Sequence, residues 1–210
     1  MGSLPAHGTF FYPKKYGYGE VWRRMGAALG NSLVTNCPVE HIDLKTRTIN
    51  HRWQAETIIS TIPWTRWPDY CELPESVVSA ISHLKNASID VVYHSETLDN
   101  PSHWIYEPDE NISYHRLLLR SNFISGARGY WTETNATRTK ETSGICFQNE
   151  FAYPINTKDK PQAIDYILDW ARSNGVVGMG RWGRWEHMNS DNAVDEALQM
   201  ASELSINVAK

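Results

Sequence analysis

From Ser88 to Asn149 the sequence offers five strand-like stretches with no helical period between them. They cover residues 88–94, 103–106, 114–120, 129–133 and 144–149, rich in β-branched and aromatic side chains and bounded by turn-forming residues. Strands that follow one another without a crossover helix pair most readily as antiparallel neighbours. A series of shorter pieces precedes them, LVTN, VEHIDL, RTINH and AETIIST, which reads as a meander ending at Pro63. Helices flank these strands. Val21, Met25 and Leu29 recur at helical spacing in residues 20–29 before Gly30, and Pro74 opens a helix over 75–84. Residues 161–172 form another helix, started by Pro161 and closed by Asn174-Gly175, and 192–204 form the last. A short strand at 176–179 lies between those two. The expectation is an α+β chain with a multi-stranded mixed or antiparallel sheet and flanking helices, a single domain over residues 1–210.

Composition removes several function classes. The formal net charge is -4, which gives no electrostatic footprint for nucleic acid or an anionic membrane. No apolar run approaches the roughly 20 residues a membrane span needs. The opening MGSLPAHGTFFYPKK lacks the apolar core of a secretory signal. Cys37, Cys71 and Cys146 are odd in number and lack CxxC spacing, so a cytoplasmic setting without a disulfide framework is expected. The histidines show no ligand spacing, so no metal is expected. No GxGxxG follows a strand, so the sequence shows no phosphate cradle of the Rossmann kind.

The stretch GRWGRWEHMNSDNAVDEALQMA, beginning at Gly180, carries two glycines and two tryptophans in its first six residues and then becomes an amphipathic helix. Helix N-termini offer unpaired N–H groups and partial positive charge to an electron-rich ligand. Arg181 and His187 add donors, and Trp182 and Trp185 suit the wall of a flat site. The same residues also describe a helix capped by Asn189 or Asp191 and packed by two tryptophans. Physics alone leaves both readings open.

This stretch resembles the C-terminal signature of the UDP-galactopyranose mutases, flavoproteins that interconvert the six- and five-membered ring forms of UDP-galactose. Three further segments are similar to that family in the same order. TFFYPKKYGYGEVW resembles its FxYPxxGGxGxIW segment, and WIYEPDENISYHRLLLRSNF its substrate-site segment with a Tyr ten residues before an Arg. FAYPINTKDK resembles its HxYPxxT segment. VEHIDLKTRTINHRWQAETIISTIP is similar to the strands of glutathione-reductase-type flavoproteins, where a valine backbone meets adenine.

The resemblance implies FAD as cofactor, in its reduced form for activity, and a UDP-sugar as substrate. It implies an isomerase in which flavin N5 attacks the anomeric carbon and UDP leaves, serving cell-surface polysaccharide biosynthesis. Arg116 would bind the diphosphate with Tyr106 and Tyr153, and Arg181 and His187 would complete the catalytic set. Val39, Gly180, Arg181, Asn189, Ser190 and Asp191 would contact the cofactor. His187 stands where the family usually has Tyr, and Ser190 where bacterial relatives commonly have Met. The similarity covers the family's C-terminal portion only, without its Rossmann glycines. On that basis residues 1–70 are helix plus meander, 71–160 substrate-domain sheet, and 161–210 flavin-facing loop and helices. FAD binding by this chain alone is expected to be weak, and its partners are self-association or a chain carrying the missing N-terminal half. Two other readings stay open: an amine-oxidase or protoporphyrinogen-oxidase-like enzyme, and a non-catalytic nucleotide-sugar-binding fragment.

Overall fold

The computed structural model describes residues 10–139 and 144–208. In chain order it runs α1 (Gly17–Leu29), β1 (Ile42–Asp43), β2 (Thr48–Ile49), β3 (Trp53–Gln54), β4 (Ile58–Ser60), α2 (Glu75–Ser82), β5 (Asn86–His94) and β6 (Trp104–Tyr106). There follow β7 (Tyr114–Leu119), α3 (Arg120–Phe123), β8 (Tyr130–Asn135), β9 (Ile145–Pro154), α4 (Lys160–Ser173), β10 (Val176–Gly178), α5 (Gly180–Gly183) and α6 (Ser190–Val208). The fold is mixed α+β, with antiparallel sheets and flanking helices. Backbone contacts divide it into two compact units, Met1–Cys37 with Ser88–Asn149 and Pro38–Ala87 with Glu150–Lys210.

The first unit is organised by the strands expected between Ser88 and Asn149. The sheet order is β6-β7-β8-β5-β9, and the last two strands continue into the second unit. β5 and β8 are antiparallel from Ile89 opposite Asn135 to His94 opposite Tyr130. Because side chains alternate across a sheet, Asp90, Thr132 and Thr134 share one face, where all three are buried. A buried carboxylate needs donors, and Asp90 has them in Thr139 Oγ1 and Gln148 Nε2. Helix α1 belongs to this unit. Its apolar positions Val21, Met25 and Leu29 have the expected spacing, yet all three are exposed, as is Trp22.

The second unit holds a hydrophobic core in which Trp64, Trp67, Val77, Ile167, Ala171, Val176 and Trp185 are essentially inaccessible. Ala163, Ile164, Ile167 and Ala171 form one face of α4, and Val77 and Ile81 form the buried face of α2. Each fully buried isoleucine there stabilises by about 1.5–3 kcal/mol before entropy is counted. The meander differs from the sequence expectation. Only Ile42–Asp43 of VEHIDL forms strand, pairing with β2, which pairs with β3. LVTN is not a strand; Leu33 and Val34 lie exposed. AETIIST leaves the meander altogether, because β4 pairs in parallel with β10, Val176 opposite Ile58 and Gly178 opposite Ser60. Alternation cannot reveal that choice: Ile58 and Ser60 are buried and Ile59 is exposed, a one-sided pattern that fits a parallel or an antiparallel partner equally well.

Candidate functional site

In the first unit, β6 and β7 are antiparallel with Tyr106 opposite Arg116. Two residues ten apart in sequence become cross-strand neighbours, and the guanidinium carbon lies 5.8 Å from the tyrosine ring centre. On its other side Arg116 meets Glu133 of β8. Its Nε and Nη2 donate to Glu133 Oε2 at 2.9 and 2.6 Å. A β-bulge interrupts the ladder between Tyr114 and Arg116. Bulges set two residues against one, so His115 also turns toward Glu133, its Nε2 3.9 Å from the same oxygen. Burial pushes the His115 imidazole below its ordinary value, Arg116 and Arg138 push the same way, and Glu133 opposes them. Near neutral pH His115 is therefore uncharged, and the cluster is one arginine paired with one glutamate. Sequence reasoning found Tyr106 and Arg116 but missed Glu133 and His115, because only the bulged ladder brings them together.

In the second unit, Tyr153 of β9, Arg181 of α5 and His187 of the following loop form a second group. The Arg181 guanidinium lies 5.3 Å from the Tyr153 ring centre, and the His187 ring stacks on Tyr153 at 5.3 Å and 11°. Arg181 Nη1 donates to the Ala152 carbonyl at 2.7 Å, and Nε and Nη2 donate to that of Met188 at 3.1 and 2.7 Å. Arginine has five N–H donors, so much of its capacity braces β9 to the turn. The Gly180 amide is engaged as well, donating to Glu196 Oε2 at 2.7 Å, while Arg184 Nε sits 3.3 Å from Glu196 Oε1. Gly180 has φ of +70° with open space where a side chain would be, and Gly183 is tightly enclosed. A Cβ on Gly183 would stand 2.5 Å from the Ser60 carbonyl oxygen, so the backbone that Gly183 approaches is the protein's own.

The two tryptophans divide between core and periphery. Trp185 is fully buried, with φ of +54° and an indole N–H that has no partner among the described residues. It belongs to the core rather than to the wall of a flat site, because its ring is enclosed among the buried side chains of this unit. Trp182 packs partly buried, edge-on to Trp185 at 5.1 Å and to Phe151 at 5.5 Å. Asn189, Ser190 and Asp191 are exposed where α6 begins, and the Asn189 carbonyl accepts from Ala193 as an N-cap residue does. Val39 lies in irregular chain before β1, its side chain against the core. Asn50 ties down both neighbours, accepting from the Glu40 and His41 amides and donating to the Pro38 carbonyl.

Among the described residues, no three His, Cys, Asp or Glu side chains are placed to hold a metal ion, and no helix is long and apolar enough to cross a membrane. A crystal structure of reduced UDP-galactopyranose mutase superposes on 83% of this chain with a TM-score of 0.70 at 14% sequence identity. The chain spans 47% of the length of that structure, and the likeness is one of fold. No family model and no curated protein matches the sequence.

Proposed function

We propose that this chain serves as the C-terminal portion of a UDP-galactopyranose-mutase-like flavoprotein, an isomerase acting on a UDP-sugar with FAD as cofactor. The observation that carries this reading is a convergence. Motif resemblance singled out Arg116, Tyr106 and Tyr153 for the diphosphate and Arg181 and His187 to complete the set; Tyr106 lies beside Arg116, and Tyr153 beside Arg181 and His187, in a fold similar to that of a reduced mutase.

The residues fit a flavin at two places and do so indirectly at a third. The backbone N–H and carbonyl of Val39 have no protein partner among the described residues, which suits the edge of an adenine ring. At the start of α6, the exposed Asn189, Ser190 and Asp191 stand where helix amide groups and the dipole suit a ring carbonyl. Gly180 and Arg181 act one step removed. Their hydrogen bonds to Glu196, Ala152 and Met188 fix the turn from which α6 departs. When bound, the reduced flavin supplies the nucleophile. The chain's own part in the first unit is to meet phosphate charge with Arg116 and an uncharged donor with Tyr106. Tyr153, held between Arg181 and His187, offers its hydroxyl to the nucleotide sugar without adding charge. Full activity calls for the N-terminal FAD-binding half, and the chain alone binds FAD weakly.

Titration with FAD and with UDP-galactose, for the wild type and Arg116→Ala, tests the reading. The expected result is a loss of about 1.5–3 kcal/mol in UDP-galactose affinity on removing Arg116, the worth of a charge-assisted hydrogen bond. Flavin binding with no response to nucleotide sugar in either form would favour the oxidase-like reading instead.

A further inference from the structure

The guanidinium assigned to phosphate already carries an anion. Arg116 and Glu133 are half-buried partners, their side chains 22% and 15% exposed, and the Nε and Nη2 hydrogen bonds converge on a single carboxylate oxygen. A pair that served stability alone would need no aromatic ring beside it and no bulge. Here the bulge at His115 turns a third polar group toward the same oxygen, and Tyr106 lies against the guanidinium from the neighbouring strand. Arginine carries side-chain entropy of about 2 kcal/mol, and an unheld guanidinium must surrender it when an anion binds. Fixing its Nε edge on Glu133 removes that cost in advance.

We propose that Glu133 is a positioning residue for diphosphate recognition: it sets the plane of the Arg116 guanidinium and, by keeping the pair neutral, tempers affinity so that a nucleoside diphosphate is held and released rather than trapped. This rests on the reading of Arg116 as the diphosphate-binding cation. Two effects follow that oppose each other and can be separated by substitution. Glutamine at 133 keeps an acceptor for Arg116 and removes the charge, whereas alanine removes both. For like charges about 6 Å apart, removing the carboxylate is worth about threefold to a hundredfold in affinity between effective dielectrics of about 80 and about 20, with tenfold in the middle of that range.

The experiment titrates inorganic pyrophosphate and UDP into the full chain as wild type, E133Q, E133A and R116A, reading dissociation constants by calorimetry and the Arg116 Nε–H resonance by NMR. The expected result is about tenfold tighter pyrophosphate binding by E133Q, with the Nε–H resonance sharp. E133A is expected to bind more weakly than E133Q with that resonance broadened, and R116A to lose binding. Equal affinities for E133Q and E133A, or E133Q no tighter than wild type, with R116A still defective, would overturn the positioning role and leave the reading of Arg116 standing. R116A binding as well as wild type, or no form binding at all, would overturn both. Should E133A fail to fold, E133D takes its place: it keeps the charge but withdraws the carboxylate by one methylene. It is expected to broaden the resonance without the gain shown by E133Q, and a sharp resonance in E133D would overturn the proposal.

Discussion

Replacing Gly183 by alanine puts a methyl group into backbone. The new Cβ would stand 2.5 Å from the Ser60 carbonyl oxygen, 2.8 Å from the Gly178 carbonyl carbon and 3.0 Å from the Gly178 Cα. Ordinary contact needs about 3.3 Å or more, so strand and turn must part by roughly 0.8 Å. Neither can yield easily. Ser60 and Gly178 are paired in the β4–β10 ladder, Met179 donates to the Ser60 carbonyl at 2.9 Å, and the Gly183 carbonyl accepts from Trp64 Nε1 at 2.9 Å. Overpacking of a rigid site costs about 1–3 kcal/mol, and straining the buried Trp64 bond adds about 1 kcal/mol, giving about 3 kcal/mol. With a urea m-value of about 2 kcal/mol/M, the midpoint falls by roughly 1.5 M at unchanged m. Trp64, Trp67 and Trp185 are buried in this unit, so tryptophan fluorescence follows the transition. Gly180→Ala is the control: nothing lies within 4 Å of its Cβ, and only its φ of +70° is penalised, at about 1–2 kcal/mol. A Gly183→Ala midpoint within about 0.3 M of wild type, or a larger loss for Gly180→Ala, would refute the close-packing argument.

Two further outcomes are expected. Arg181→Met keeps the side-chain stem but releases the Ala152 and Met188 carbonyls; it is expected to cost about 1–3 kcal/mol. It should also abolish the ring-current shift that Tyr153 imposes on His187, read by NMR. His115 titrates below its unfolded value of 6.5. Between the folded value and 6.5 the unfolded chain holds more protons than the native one, so stability declines as pH falls below about 6.5 and levels off once the folded group is also protonated. His115→Gln removes that slope, and urea midpoints measured from pH 7.5 to 5 would show it.

The site was legible in the sequence only as far as short motifs reach. Tyr106 and Arg116 could be paired by their ten-residue separation, which the β6–β7 register turns into direct opposition. Glu133 could not, because its place opposite Arg116 depends on the register of β8 and on a bulge one residue away. Arg181 was legible as a residue but not in its orientation, since the carbonyls it meets lie on β9 and past the turn. The tryptophans misled for the same reason. Composition marks them as aromatic, but only packing decides that Trp185 faces inward and that Trp64 and Trp67 lie beneath β4 and the C-terminal turn, bonded to Gly183 and Ser60.

By itself the sequence determined most of the element types, LVTN excepted. Local periodicity, Pro161 at a helix start, Asn174-Gly175 at its end and the run of short β-rich segments act over a few residues and carry their own conformational preferences. Tertiary structure decided how those elements were partnered. It sent AETIIST out of the meander to lie parallel with a strand more than a hundred residues away, left LVTN unpaired, and turned Gly183 of the C-terminal stretch against the chain's own backbone. A strand's partner and a glycine's neighbour are fixed by which distant surfaces bury together, and no local run of residues encodes that choice.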